Sequence, residues 1–233
     1  MQPVGATVAA HPAIRPSSQT VLRYPGSAVT IRGMSVEKDA ENLFALVDAQ
    51  HNASIWTYMF DNPPETLAEL QQMMTTKAQS TDPVFYTIDL DGVGPVGWAS
   101  LMRIDEKARV VELGHILLTK RLQRTTDSTR VMYLFLNHAF EDLGYRRVEW
   151  KCDSLNAPSR SAAQRLGFQY EGTFRQHMIY KGRSRDTAWF SILDGEWPAQ
   201  KAAFDRYLSA DNFDGEGKQI KSLAHFSSHQ VKA

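Results

Sequence analysis

Three short stretches of this chain place chemically useful side chains in backbone that is otherwise apolar or helix-forming. Glu112-Leu113-Gly114-His115 sets a carboxylate and an imidazole into a run that continues through Ile116, Leu117 and Leu118. A carboxylate in an apolar strand is either strongly paired or raised in pKa, and both states serve proton transfer. Glu112 and His115 are therefore the candidate bases, with the anchoring of a neighbouring element as the other reading of Glu112. Next comes Gln123-Arg124-Thr125-Thr126-Asp127-Ser128-Thr129, which opens a helix. Unpaired N–H groups and the positive dipole end make such a start attractive to anions. Arg124 can pair with a phosphate there, and the hydroxyls of Thr125, Thr126, Ser128 and Thr129 can donate hydrogen bonds. Asp127 opposes an anion unless it turns aside as a cap, and a capped helix start that binds nothing is the alternative. The third stretch, Asn156-Ala157-Pro158-Ser159-Arg160, reads as another helix start, with Asn156 as N-cap and Pro158 in the first turn.

The elements that must position these residues follow from hydrophobic periodicity. Residues 29–32 alternate as a strand, and 36–50 carry an apolar stripe with Ser35 as N-cap. Asn62-Pro63-Pro64 breaks the chain, and a second helix opens at Pro64 and runs to about Ala78. Strands are expected at 84–90, 96–104 and 109–118, the last too continuously apolar to be an edge. A helix over 126–143 closes at Gly144, and strand 147–153 and helix 157–166 follow. Strands 168–181 and 186–193, turned at Gly182-Arg183-Ser184, precede a last helix at 196–208. The order βαα-βββ-α-β-α-ββ-α contains one βαβ crossover, which sets a parallel pair beside an antiparallel meander. Such a mixed α/β sheet has a splay point where a ligand can enter.

The chain has 233 residues, enough for one large domain. Lys plus Arg number 26 and Asp plus Glu 26, so no global charge favours nucleic acid or an anionic membrane. No run reaches the length of a membrane span, and the first 20 residues lack a secretory pattern. The single cysteine, Cys152, excludes an intrachain disulfide, suits a cytoplasmic setting and reads as a small core residue. Residues 1–28 read as a flexible arm, 29–209 as the folded domain and 210–233 as a loose tail. Trp150, Trp189 and Trp197 read as core aromatics. Arg175 and Asp186 read as a structural ion pair, and the loop around 54–60 as the wall of an acceptor channel.

Taken in order, the three stretches, Leu166-Gly167-Phe168, Glu171-Gly172 with Arg175, and a strand at Asp186 resemble the Gcn5-related N-acetyltransferases. Within them the match is to the branch with the ribosomal-protein N-terminal acetyltransferases of the RimJ/RimL type, and it covers roughly residues 29–195. The resemblance implies a mixed, mostly antiparallel sheet splayed at strand 109–118, with helices on both faces. It implies acetyl-coenzyme A as acyl donor, an amine acceptor attacking directly in a ternary complex, no metal, and a monomer or homodimer. The donor's pyrophosphate would sit at Gln123–Thr129, and a bulge would turn the backbone of Ile116, Leu117 and Leu118 toward the thioester. Asn156 would hold the pantetheine arm, Ser159 would donate to the departing sulfur, and Glu112, which matches an acidic residue often present in this branch, would be the catalytic base. The sequence departs from the family where Arg124 and Thr126 stand at positions usually held by glycine. That departure supports one alternative, a degenerate acyl-coenzyme A-binding or regulatory module; a separate alternative is an enzyme for another acyl chain, which the pocket volume near Leu117 and Asn156 would decide.

Overall fold

The computed structural model describes residues 3–8 and 11–227. Strand β1 (Val21–Arg23) pairs antiparallel with β2 (Val29–Gly33). Helix α1 (Val36–Val47), the single turn α2 (Ala49–Asn52) and helix α3 (Leu67–Gln79) follow. Strands β3 (Val84–Leu90), β4 (Gly94–Asp105) and β5 (Val110–Leu118) form the meander. Helix α4 (Thr126–Asn137) runs into a π turn (His138–Asp142) and leads to β6 (Arg147–Asp153), which lies parallel to β5. Helix α5 (Ala157–Arg165), the hairpin β7 (Gln169–Tyr180) and β8 (Arg183–Leu193), helix α6 (Trp197–Leu208) and the single turn α7 (Leu223–Phe226) complete the chain.

The eight strands make one sheet in the order β1-β2-β3-β4-β5-β6-β8-β7, in which β5–β6 is the parallel pair. Two cores cover its faces. Leu43, Leu70, Met74, Trp56 and Trp98 bury one face under α1 and α3. Tyr86, Phe135, Phe190 and Phe204 belong to the larger core under α4, α5 and α6. Full burial of each large apolar side chain stabilises the fold by about 1.5–3 kcal/mol, so both faces must be closed for the sheet to hold its register. The expected mixed sheet with helices on both faces is what forms.

Local expectations fail where tertiary partners outweigh local signals. The helix expected over 36–50 stops at Val47, because Asp48 leaves helical geometry at ψ 156° and its carboxylate caps the next turn through the His51 N–H, at 2.8 Å. Ser35 does not cap with its hydroxyl. The buried Asp39 carboxylate instead accepts from the Ser35 N–H, Arg32 and Thr87. The second helix starts at Leu67 rather than Pro64: Thr66 accepts from the Glu69 N–H at 3.2 Å, while Glu69 reaches back to the Glu65 N–H at 2.8 Å. Within residues 1–28, Val21–Arg23 pairs with β2, and the Ala13 and Ile14 N–H groups donate to Glu106 and Leu143 carbonyls. Beyond residue 210, Asn212 bonds Tyr207 and Lys221, and Leu223 joins the larger core. Arg175 and Asp186 form no ion pair. Asp186 accepts from the Gln176 N–H at 2.7 Å, at an irregularity in β7 where Gln176 has φ 49°.

Candidate active site

β5 and β6 begin as a parallel pair and then part. Their pairing runs from Val110↔Arg147 to Glu112↔Glu149 and goes no further, although β5 continues to Leu118 and β6 to Asp153. The backbone groups beyond the fork have no neighbouring strand on that side. On the other side of β5, Gly114 faces Ser100 and Leu117 faces Trp98, so His115 and Ile116 together oppose Ala99. This two-against-one mismatch is a β-bulge, centred one to two residues before the expected Ile116–Leu118. His115 adopts φ 48° in it. Gly97 on β4 permits the close approach: its φ is 156°, and a Cβ there would meet the Leu117 carbonyl oxygen.

The fork opens into a cleft of about 1080 Å³, lined by every site residue singled out from the sequence: Glu112, 116–118, 123–126, Ser128, Thr129, Asn156 and Ser159. At one end stands the start of α4. Thr125 caps it by accepting from the Ser128 N–H at 3.1 Å, and Gln123 is tied to the Leu118 carbonyl at 2.7 Å. Arg124 has φ 61°, so its backbone takes the left-handed shape that glycine would adopt most easily, while its side chain is exposed. Asp127 does not face the cleft as a free charge. Its carboxylate is held by Arg130 at 2.6 Å. On the facing helix, Arg165 donates to Thr129 Oγ1 at 3.2 Å and has no carboxylate partner among the described residues. Its side chain is exposed, and desolvation by the surrounding protein pulls its pKa down with Tyr207 opposing.

In the middle, Asn156 caps α5 by accepting from the Ser159 N–H at 3.1 Å. Ser159 Oγ accepts from Trp150 Nε1 at 3.0 Å, which leaves the serine's own hydrogen free to donate. Trp150 is core, as expected, and also orients this hydroxyl. Burial pushes the Cys152 thiol up, with the Ser159 hydroxyl pulling against it. Cys152 is thus a protonated packing residue rather than a nucleophile.

Glu112 lies between two cations, 2.8 Å from Lys151 Nζ and 2.9 Å from Arg103 Nε, and Lys151 also meets Glu149 at 2.7 Å. Burial pushes its carboxyl above the ordinary range, and Lys151 and then Arg103 pull against that. His115 packs against Phe85 and Phe60 at 5.2 and 6.0 Å. Burial, aided by Lys77, lowers its pKa to about 4. The imidazole is therefore neutral at pH 7. Its charge must be suppressed in the fold but not in the unfolded chain, so it contributes stability that is complete above its ordinary 6.5 and lost as pH falls toward 4. The unfolding free energy of wild type relative to His115→Phe, measured by urea titration, is expected to decline across that window by up to about 2–3 kcal/mol. A constant difference from pH 7 to pH 4 would show that His115 titrates normally.

The far end of the cleft is walled by residues 54–60 and by the β7–β8 hairpin. Tyr58 donates to the Leu155 carbonyl at 3.0 Å, and Lys181 at the hairpin tip donates to the Trp56 carbonyl at 2.9 Å. Trp56 itself is core: its Nε1 reaches the Val47 carbonyl at 2.7 Å and its ring meets Trp98. Arg165, Asp153 and Arg185 line the cleft and were not foreseen. For Arg165 a signal existed, because Pro158, Ala162 and Arg165 fall at i, i+4 and i+7 on one helical face. For Arg185 none did, since its place depends on how far the hairpin reaches.

Three comparisons with known proteins place this geometry. Residues 28–169 match the model of the acetyltransferase (GNAT) domain. The chain is 26% identical over 182 residues to the "Putative ribosomal N-acetyltransferase YdaF" of Bacillus subtilis (strain 168), covering 74% of this chain and 95% of that protein. The crystal structure of a GCN5-related N-acetyltransferase from Brucella melitensis superposes with a TM-score of 0.88 at 39% identity, over 93% of this chain and 97% of that one. A spermidine N-acetyltransferase from Vibrio cholerae, solved with CoA and spermine, shares the fold at 19% identity, TM-score 0.60, over 73% of this chain and 98% of its own. No described helix is long and apolar enough to cross a membrane. A sheet forked beside a bulged central strand and the match over most of the core agree, and the chain belongs to the GNAT family of N-acetyltransferases.

Proposed function

We propose that this enzyme transfers an acetyl group from acetyl-coenzyme A to a primary amine, on a protein N-terminus or a small molecule, by direct attack within a ternary complex. The observation that carries this reading is the β5–β6 fork, which opens the start of α4 and the Ser159 hydroxyl into one cleft. The donor supplies an activated thioester, whose carbonyl accepts the amine and whose thiolate departs. The residues present fit it. Arg165 is an exposed cation without a carboxylate partner among the described residues beside the α4 start, and Arg124 offers a second guanidinium with no partner among them. With the amides of residues 125–129, these two would hold the pyrophosphate, which answers the missing glycines. Asn156 and the unpaired backbone past Glu112 would hold the pantetheine arm, and the bulge at His115–Ile116 would orient the acetyl carbonyl. Ser159, set by Trp150, would donate to the leaving sulfur.

Glu112 is committed to two cations, and His115 is a weak base. We therefore read Glu112 as the anchor that holds Lys151 and Arg103. Asp153, a buried cleft carboxylate with no cation within 4 Å among the described residues, takes the amine's proton. The overall pattern is that of the RimJ/RimL branch, and the single buried cysteine suits a cytoplasmic enzyme.

Two measurements test the reading: the rise in melting temperature with acetyl-coenzyme A, and free thiol released with an amine present. Protein that shows neither at millimolar donor is not a transferase. The loop makes a narrower expectation. Arg124→Ala should weaken donor binding by about tenfold, and the loss should shrink with salt, because an exposed pair is screened over about 8–10 Å. Arg124→Gly relieves the left-handed strain yet should bind the donor as poorly as alanine. Normal binding by the glycine variant would assign the phosphate to backbone amides alone.

A further inference from the structure

The charges lining the cleft do not balance. Arg103, Arg124, Lys151, Arg165 and Arg185 face two carboxylates, Glu112 and Asp153. Glu112 is consumed by Lys151 and Arg103, and Arg124 and Arg165 stand at the α4 end. That leaves Arg185 and Asp153 together at the acceptor end.

Arg185 is 6% exposed. Its Nε donates to Thr187 Oγ1 at 3.1 Å, and the guanidinium lies over the rings of Phe60 and Tyr180 at 5.2 and 5.7 Å. No carboxylate among the described residues pairs with it, and its two terminal nitrogens are not among the sealed, unpartnered polar atoms of the protein. They therefore open into the cleft with donors unspent. An arginine stays charged at any working pH, and burying it without a counter-ion is costly, so the arrangement is built for an anion that arrives from outside. Asp153, 5% exposed, accepts from Tyr180 Oη and from the Leu155 N–H, each at 2.9 Å. Tyr180 thus touches both charges, with its hydroxyl on the carboxylate and its ring beneath the guanidinium. The Phe60 ring is near both Arg185 and His115 of the bulge, at 5.2 and 6.0 Å.

We propose that the acceptor is a small zwitterion: an amine that carries a carboxylate in the same molecule, as a free amino acid does. The ammonium docks at Asp153 and gives up its proton there, and the carboxylate lies on the open fork of Arg185. Polyamines suit this end poorly, because they would set a second cation against the guanidinium. The proposal rests on the transferase reading of the cleft.

The test is thiol release from acetyl-coenzyme A with free L-amino acids, with the same compounds as C-terminal amides, and with spermidine. The best acid should exceed its amide in kcat/KM by about 100-fold, the scale of a lost charge-assisted bidentate pair. In Arg185→Gln that ratio should fall to within about threefold while the KM for acetyl-coenzyme A is unchanged. Arg185→Lys, which keeps the charge and loses the fork, should restore part of the ratio and serves if the glutamine variant fails to fold. Amides or spermidine used as well as acids, or an acid-to-amide ratio unmoved in both variants, would overturn the zwitterion and leave the transferase intact. No thermal shift with acetyl-coenzyme A and no thiol release with any acceptor would remove the transferase reading, and this inference with it.

Discussion

Ser159→Ala is expected to reduce kcat by roughly ten- to a thousandfold while leaving acetyl-coenzyme A affinity nearly unchanged. Charge builds on the sulfur mainly in the transition state, so a donor aimed there contributes to turnover and little to ground-state binding. The geometry adds a second arm. Because Ser159 Oγ accepts from Trp150 Nε1, Trp150→Phe should release the hydroxyl to rotate and lower kcat by a smaller factor, about three- to tenfold. In Ser159→Ala the added loss from Trp150→Phe should vanish, since no hydroxyl remains to be aimed. A folded Ser159→Ala enzyme with unchanged kcat would reduce Ser159 to a helix-start residue. Additive losses in the double variant would assign the tryptophan a packing role alone.

Arg165→Met should weaken donor binding and leave the stability of the free protein nearly unchanged. The arginine is exposed, and its neighbours Thr129 and Tyr207 are neutral, so no ion pair is lost with it. A methionine of similar reach keeps the apolar stem, and the free protein should stay within about 0.5 kcal/mol of wild type. Acetyl-coenzyme A should bind about ten- to a hundredfold more weakly, since a charge-assisted contact to phosphate is lost. Arg124→Ala, also on an exposed side chain, should show a loss of similar kind that shrinks with salt. Calorimetry of the free and donor-saturated forms separates the two effects. A variant that is less stable yet binds the donor normally would make Arg165 a structural residue.

The parts of this fold legible in the sequence are those governed by local periodicity. The bounds of β3 and β6 are as expected, and β5 is central because its residues are apolar on both faces. The Asn156 cap and the glycine closing the helix at 144 were visible because each capping device lies within a few residues of what it caps. What was not legible depends on distance along the chain. β1 is three residues long and exists because β2 offers an edge, and the Ser35 hydroxyl does not cap because Asp39, held by Arg32 and Thr87 of the sheet, accepts from the Ser35 N–H instead. The same division holds in the cleft. The stretches 112–118, 123–129 and 156–159 carry their roles locally, so their meeting in one cleft was foreseeable. The counter-charges Lys151 and Arg103, which neutralise Glu112, come from two other strands and leave no trace in its neighbours. The bulge falls at His115–Ile116 because register is negotiated with β4, where Gly97 lets the backbones close.

β1 also has a consequence for handling the protein. With β1 in place, the backbone of β2 is hydrogen-bonded on both sides, by β1 and by β3. A chain shortened to begin at residue 29, the boundary that composition alone suggests, would bare a run of unpaired amides on Val29–Gly33, a strand with three buried residues. A naked edge of that kind recruits other chains, so the shortened protein would be lost to precipitation while its catalytic machinery stayed whole.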